Sequence, residues 1–118
     1  MINFKENILR EEWIKLDSRV RKITNLMDAI MDLLYGVTVT VTSVYREDVH
    51  STHHYYRAAD IRSREIKEEE CVYLSALINV IFPYGKGSHE TVIYHDVGEG
   101  VHFHIQVKAK SEERKRVS

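Results

Sequence analysis

Histidines are concentrated in the second half of this sequence. The 118-residue chain has seven of them, all between His50 and His104. His102 and His104 are separated by one residue in a segment that predicts a β-strand, so their side chains should point to the same face. His53 and Asp60 lie in an earlier polar segment. Two imidazoles on one strand face, with an imidazole and a carboxylate from another segment, can build a metal site that keeps an open position for water.

The first elements that must position these residues are predicted by the apolar pattern. Residues 1–36 predict an N-terminal helix, because apolar side chains recur every three or four positions from Trp13 to Leu34. Gly36 follows where a helix C-cap is expected. Residues 37–42 alternate valine and threonine, which predicts a half-buried strand.

Residues 45–56 lack an apolar rhythm and predict a loop, followed by a short extended piece over 57–61. Ser63 is the expected N-cap of a second helix that ends near Ile81. The expected core stripe of that helix is Ile66, Tyr73 or Leu74, Leu77, Ile78 and Ile81.

Two further strands are expected over 91–95 and 101–107, joined by a hairpin loop over 96–100. A charged tail over 108–118 follows the last strand. The order of elements predicts one α+β domain over 1–118, with a small, mainly antiparallel sheet flanked by helices.

Composition excludes several classes of protein. The net charge of −1 lacks the basic excess typical of nucleic-acid-binding proteins, and no apolar run is long enough to cross a membrane. Cys71, expected to be buried and inert, is the only cysteine, which excludes an internal disulfide and a cysteine-rich zinc site. Residues 1–13 lack the apolar core of a signal peptide, so we expect synthesis in the cytoplasm.

The polar segment resembles the ligand motif S-x-H-x-x-G-x-A-x-D of the D-Ala-D-Ala metallopeptidases, a zinc peptidase group that includes the Hedgehog signalling domain. The matching residues are Ser51, His53, Ala58 and Asp60, with Arg57 in the usual basic position. The H-x-H signature of the family is matched by His102-Phe103-His104, and its S-x-Y-R element by Ser43-Val44-Tyr45-Arg46. The resemblance covers 37–107, and Tyr56 replaces the glycine of the motif.

The resemblance implies one zinc ion bound by His53, Asp60 and His104, because the later histidine of the H-x-H pair is the usual ligand in this group. His102 would then stand beside the reacting water as a proton shuttle. Arg46 would hold a carboxylate or a polarised carbonyl oxygen, unless it is a solvated charge at the loop end. Ser51 would orient either the substrate or the loop.

The general base is left open by the sequence. Many family members carry an acidic residue three positions before the last ligand, where this chain has Val101. Glu99 has that spacing from His102, so either Glu99 reaches the site from the hairpin loop or His102 replaces His104 as the ligand. Asp96 or His95, and His102 itself, are the other candidates.

The function implied by the resemblance is hydrolysis of D-amino-acid-containing peptide bonds in bacterial peptidoglycan. The enzyme would be a DD- or LD-carboxypeptidase or endopeptidase of the endolysin type, with the peptidoglycan stem peptide as its substrate. A phage or prophage lysin, released by other means than secretion, suits the expected cytoplasmic synthesis. The alternative is a catalytically inactive zinc-binding module that serves as a structural or partner-binding domain.

Overall fold

A five-stranded mixed sheet organises the chain in the computed structural model, which describes residues 2–96 and 100–110. The strands are β1 (Asn3–Phe4), β2 (Thr40–Ser43), β3 (Ala58–Arg62), β4 (Val92–Asp96) and β5 (Val101–Gln106). The helices are α1 (Ile8–Lys15), α2 (Ser18–Tyr35) and α3 (Glu68–Ile81), with a 3₁₀ helix over Thr52–Tyr55. The strand order is β1-β2-β3-β5-β4, and every pair is antiparallel except β1 with β2. The α+β class and the mainly antiparallel sheet are confirmed.

The two faces of the sheet differ in chemistry because side chains alternate along each strand. Ile61 of β3 and Phe103 and Ile105 of β5 are fully buried in the apolar core, which also takes in the inner sides of α2 and α3. Their sequence neighbours on the opposite face include Asp60 and His104. The core therefore holds one face of the sheet rigid while the other face presents polar groups.

The N-terminal region is two helices and a short strand, so the expectation of one helix over 1–36 is wrong. At Leu16 the backbone becomes extended and ends α1. The Asp17 carboxylate then accepts a hydrogen bond from the Arg19 N–H and so caps the start of α2. The Asp17 N–H donates to the Tyr56 carbonyl, which joins this break to the polar loop. The expected end at Gly36 is confirmed by its left-handed φ of 64°.

The strand expected over 37–42 is displaced to Thr40–Ser43. Asp28 of α2 accepts the backbone N–H of Val39 through its carboxylate, so this N–H is engaged by a helix rather than by a sheet partner. A register shift between Val41 and Ser43 then interrupts the pairing with β3. The extended piece expected over 57–61 is confirmed as β3 with a shift of one residue.

Helix α3 begins after Lys67 rather than at Ser63. The hydroxyl of Ser63 donates to the Val101 carbonyl at the start of β5, and the N-cap position is taken by Lys67, whose side chain makes no capping hydrogen bond. The buried residues of the helix are Cys71, Leu74, Ser75 and Ile78. Of the expected stripe, Leu74 and Ile78 are buried, as is Ile66 ahead of the helix, whereas Tyr73, Leu77 and Ile81 are exposed.

The last two strands lie within one residue of their expected positions. Most of the hairpin loop between them, including Glu99, and residues 111–118 of the charged tail lie outside the described residues. Within the described part of the chain, no helix combines the length and the apolar character needed to cross a membrane.

Candidate metal centre

Strand pairing brings the second and third predicted ligands together. In the β3–β5 register, Asp60 lies opposite His104, and Arg62 lies opposite His102. The four residues share one sheet face because each pair is two positions from the next. The Asp60 carboxylate and both histidine side chains are almost fully buried, at 3%, 12% and 11% exposed for Asp60, His102 and His104.

The first predicted ligand, His53, is held over this face by the 3₁₀ helix. Ser51 is its N-cap, and the Ser51 hydroxyl accepts a hydrogen bond from the His53 N–H at 3.2 Å. The chain then turns at Tyr56, which has a left-handed φ of 56°. This conformation costs a non-glycine residue about 1–2 kcal/mol, and the Tyr56 ring stacks on Tyr45 with centroids 5.0 Å apart. The backbone at Tyr56 is thus of the kind that glycine favours.

The hydrogen bonds of His53 determine which ring nitrogen faces the sheet. Its Nδ1 lies 2.7 Å from the Val44 carbonyl oxygen, which can only accept, so Nδ1 carries the proton. In the neutral ring, Nε2 then keeps an unshared electron pair. Nε2 is buried, makes no hydrogen bond, and lies 3.3 Å from Oδ1 of Asp60.

His104 is oriented by Gln106, two residues later on the same strand face. The Gln106 amide nitrogen donates to the Glu90 carbonyl, so its Oε1 is the atom that lies 3.0 Å from Nε2 of His104. Thr52 also donates its hydroxyl to this oxygen. Because Oε1 accepts, Nε2 of His104 carries the proton, and the unshared pair of Nδ1 faces Oδ1 of Asp60 at 3.0 Å.

Three electron-rich atoms therefore converge: Nε2 of His53, Oδ1 of Asp60 and Nδ1 of His104. Ligand atoms of these three residues all lie within 4.8 Å of one another. Such atoms repel one another unless a cation, either a metal ion or a proton on an imidazole, lies between them. The donor set of two nitrogens and one oxygen fits a metal ion, and the group could hold one.

Arg46 binds the other oxygen of the same carboxylate. Its guanidinium donates to Oδ2 of Asp60 at 2.6 Å and to the hydroxyl of Ser43 at 3.2 Å. Burial raises the pKa of Asp60, but the imidazole side chains of His102, His104 and His53 that face its carboxylate outweigh burial and hold the pKa well below its usual range. Asp60 is therefore ionised, with Oδ1 directed at His53 and His104.

His102 lies beside the metal-binding group without being part of it. Its Nε2 is 3.4 Å from Oδ1 of Asp60, and its Nδ1 is 3.2 Å from the Gly100 carbonyl. The hydrogen bond with Asp60 raises the pKa of His102 despite burial. His95, its partner on β4, has its pKa lowered first by burial and then by His102 and His104.

Of the other residues considered from the sequence, those that the structure describes lie outside the metal-binding group. Asp96 is exposed at the end of β4, His50 and His89 are exposed, and Glu99 lies outside the described residues. Cys71 is buried in α3, where burial raises the pKa of its thiol. Sequence reasoning missed Gln106 and Thr52, although the spacing H-x-H-x-Q places Gln106 on the histidine face.

Two clefts border the metal-binding group and have different linings. One, of about 520 Å³, is lined by Asp60, Arg46 and His102. The other, of about 410 Å³, is lined by His104 and Ser51 among others. Asp60 thus lies in the wall of one cleft and His104 in the wall of the other.

Gln106 should control metal affinity without touching the metal. Gln106→Leu removes the oxygen that fixes the His104 tautomer, and we expect metal affinity to fall about 10–100-fold, as for similar supporting residues in other metal sites. Competition with a chromophoric chelator measures the change. Gln106→Glu keeps an acceptor and should retain most of the affinity. Equal affinities of wild type and Gln106→Leu would contradict the assigned tautomer.

A scan against profiles of known protein families finds no match, and no curated protein sequence is significantly similar to this chain. The chemistry of the site therefore has to be inferred from its own atoms.

Proposed function

We propose that the chain is a zinc-dependent peptidase of the D-Ala-D-Ala metallopeptidase and Hedgehog-type group, acting on D-amino-acid-containing peptide bonds of bacterial peptidoglycan. The observation that carries the proposal is the close approach of three ligand atoms, from His53, Asp60 and His104, where Asp60 lines one open cleft and His104 lines another. Catalytic zinc sites have three protein ligands and an open position, whereas structural sites have four.

Zinc is the metal that best fits the donor set and its spacing. Two imidazoles and a carboxylate are typical zinc ligands, and tetrahedral coordination at zinc bond lengths separates neighbouring ligand atoms by roughly 3.3 Å. The distances to Oδ1 of Asp60, 3.3 Å from His53 and 3.0 Å from His104, are close to this value. A bound zinc ion would supply Lewis acidity, acidifying water and polarising the scissile carbonyl.

The surrounding residues have complementary roles in this proposal. His102 accepts a proton from the attacking water at Nε2, since its Nδ1 lies against the Gly100 carbonyl and its raised pKa makes it a stronger base. Arg46 keeps Oδ2 of Asp60 occupied, and its side chain, 37% exposed, has further N–H groups for a substrate oxygen. Ser51 shapes the ligand loop through its hydrogen bond to the His53 N–H.

The sequence resemblance and the backbone agree at one informative position. The motif carries glycine where this chain has Tyr56, and Tyr56 has the left-handed φ that glycine favours. The local backbone thus has the shape that the motif requires, despite the substitution. This agreement supports the assignment of His53 and Asp60 to the family ligands.

Digestion of purified peptidoglycan tests the proposal. We expect about one zinc per chain by elemental mass spectrometry, and new peptide fragments by mass analysis that disappear after chelation and return with zinc. His53→Ala should lose both zinc and fragments. His54→Ala, which removes the adjacent histidine and not a ligand, is the matched control and should keep both.

A zinc-binding module without activity is the second candidate. It is favoured by the short distance from Nε2 of His102 to Oδ1 of Asp60, 3.4 Å, because a third histidine could close the metal site as its fourth ligand. Intact peptidoglycan after incubation with the zinc-loaded chain would exclude the peptidase and favour this candidate. Absence of zinc from the wild type, even after zinc addition, would exclude both.

A further inference from the structure

The cleft beside Asp60 and His102 is strongly basic. The described residues of its lining include four cationic side chains and one carboxylate, and we call it the basic cleft: Lys5, Arg46, Asp60, Arg62, Arg64 and His102. The chain as a whole has one more acidic than basic residue, so this clustering departs from its average composition. Clefts lined by one sign of charge concentrate ligands of the opposite sign.

Most of this charge is not compensated. Arg46 is paired with Asp60, whereas Lys5, Arg62 and Arg64 form no side-chain ion pair or hydrogen bond with any residue in the described part of the chain. Arg62 lies on the sheet face of the metal-binding group, two positions along β3 from Asp60. That spacing corresponds to roughly 7 Å along a strand, the length of two peptide residues.

The second cleft, which His104 lines, has its positive charges engaged. Its cations are Arg57 and Lys86, and Arg57 already donates to the Val107 carbonyl and lies over the Tyr55 ring. Lys86 also has an interaction within the chain. The uncompensated positive charge is therefore on the Asp60 side of the site, which gives a bound peptide a preferred direction.

We propose that the basic cleft seats a carboxylate of the substrate, within about two residues of the cleaved bond, through Arg62 and Arg64. The inference rests on the proposed peptidase function and specifies its substrate as an acidic peptide. Guanidinium groups bind carboxylates through paired, charge-assisted hydrogen bonds, which are stronger than neutral ones. The carboxylate is either the peptide C-terminus or an acidic side chain.

Three acetylated tripeptides that contain D-alanine distinguish a C-terminal carboxylate from a side-chain carboxylate. One has a free C-terminus and a central glutamine, the second has a central glutamate and an amidated C-terminus, and the third has neither charge. Internal peptide bonds are replaced by non-hydrolysable isosteres, and affinities for the zinc-loaded chain are measured by calorimetry. We expect one anionic peptide to bind about tenfold more tightly than the neutral one. Tighter binding of the peptide with the free C-terminus indicates a carboxypeptidase, whereas tighter binding of the peptide with the glutamate side chain indicates an endopeptidase.

Arg62→Gln and Arg64→Gln should each reduce this preference several-fold, while Lys15→Gln, an exposed lysine that does not line the cleft, should not. Arg64 is also exposed, so its substitution should leave folding intact, which circular dichroism verifies. Equal affinity for all three peptides, no binding at millimolar concentration, or a preference that survives both arginine substitutions would overturn the proposal. A charge preference without peptidoglycan cleavage would refute the peptidase function and leave the subsite standing.

Discussion

Replacing Asp60 with asparagine should abolish stoichiometric zinc binding and all peptidoglycan cleavage. The carboxylate supplies Oδ1 to the same point as His53 and His104, and it carries the only negative charge among the three. Supporting residues alone change metal affinity by about 10–100-fold, so losing a charged ligand should cost more than about 100-fold. Elemental mass spectrometry and the peptidoglycan digest measure both effects.

Asparagine is chosen because it keeps the shape of the buried side chain. Asp32→Asn makes the same change at an exposed position of α2 and should retain zinc and activity. Since a metal that binds only the native state stabilises it, chelation should lower the melting temperature of wild type and of Asp32→Asn, but not of Asp60→Asn. One zinc per chain in Asp60→Asn would show that the metal binds elsewhere.

Replacing His102 with alanine should separate catalysis from metal binding. We expect turnover to fall about 10²–10⁴-fold, the usual contribution of a general base, while zinc content stays near one per chain. The reason is that His102 adjoins Asp60 at 3.4 Å, yet lies outside the group whose ligand atoms converge. Steady-state kinetics on a peptidoglycan fragment and metal analysis give the two quantities.

Three further variants decide between the candidate bases. His95→Ala should have a smaller effect than His102→Ala, because His95 contacts the rings of His102 and His104 rather than Asp60. Glu99→Gln and Asp96→Asn test the acidic alternatives, and a larger loss in either variant would move the base to that residue. If His102→Ala loses zinc and His104→Ala keeps it, the roles of the two histidines are reversed.

The residue types of the site, and the strand face that carries two of them, could be predicted from the sequence. In β5, His102 and His104 alternate with the buried Phe103 and Ile105, so the split between site and core follows from the period of a strand alone. The spacing of His53 and Asp60 likewise placed both ahead of α3. These features are local, because they depend on neighbouring residues and on the geometry of one element.

Other features depend on contacts between segments distant in sequence, and only the tertiary structure decided them. The break between α1 and α2 is joined to the polar loop by the hydrogen bond from the Asp17 N–H to the Tyr56 carbonyl, and Ser63, the expected cap of α3, lies ahead of that helix and bonds to Val101 of β5. Arg46, expected at the substrate, also donates to the second oxygen of Asp60, fourteen residues away, a contact that the sequence did not indicate.

Contacts between distant segments also determine which imidazole nitrogens are unprotonated and face the proposed metal. The tautomer of His53 follows from the Val44 carbonyl, and that of His104 follows from Gln106, whose amide is oriented by Glu90. A proton on an imidazole goes to the nitrogen that has an acceptor within hydrogen-bonding distance. The sequence by itself thus determined which side chains could bind a metal, and the packing of loop against sheet determined which of their atoms are available to do so, because hydrogen-bond geometry exists only once the chain is folded.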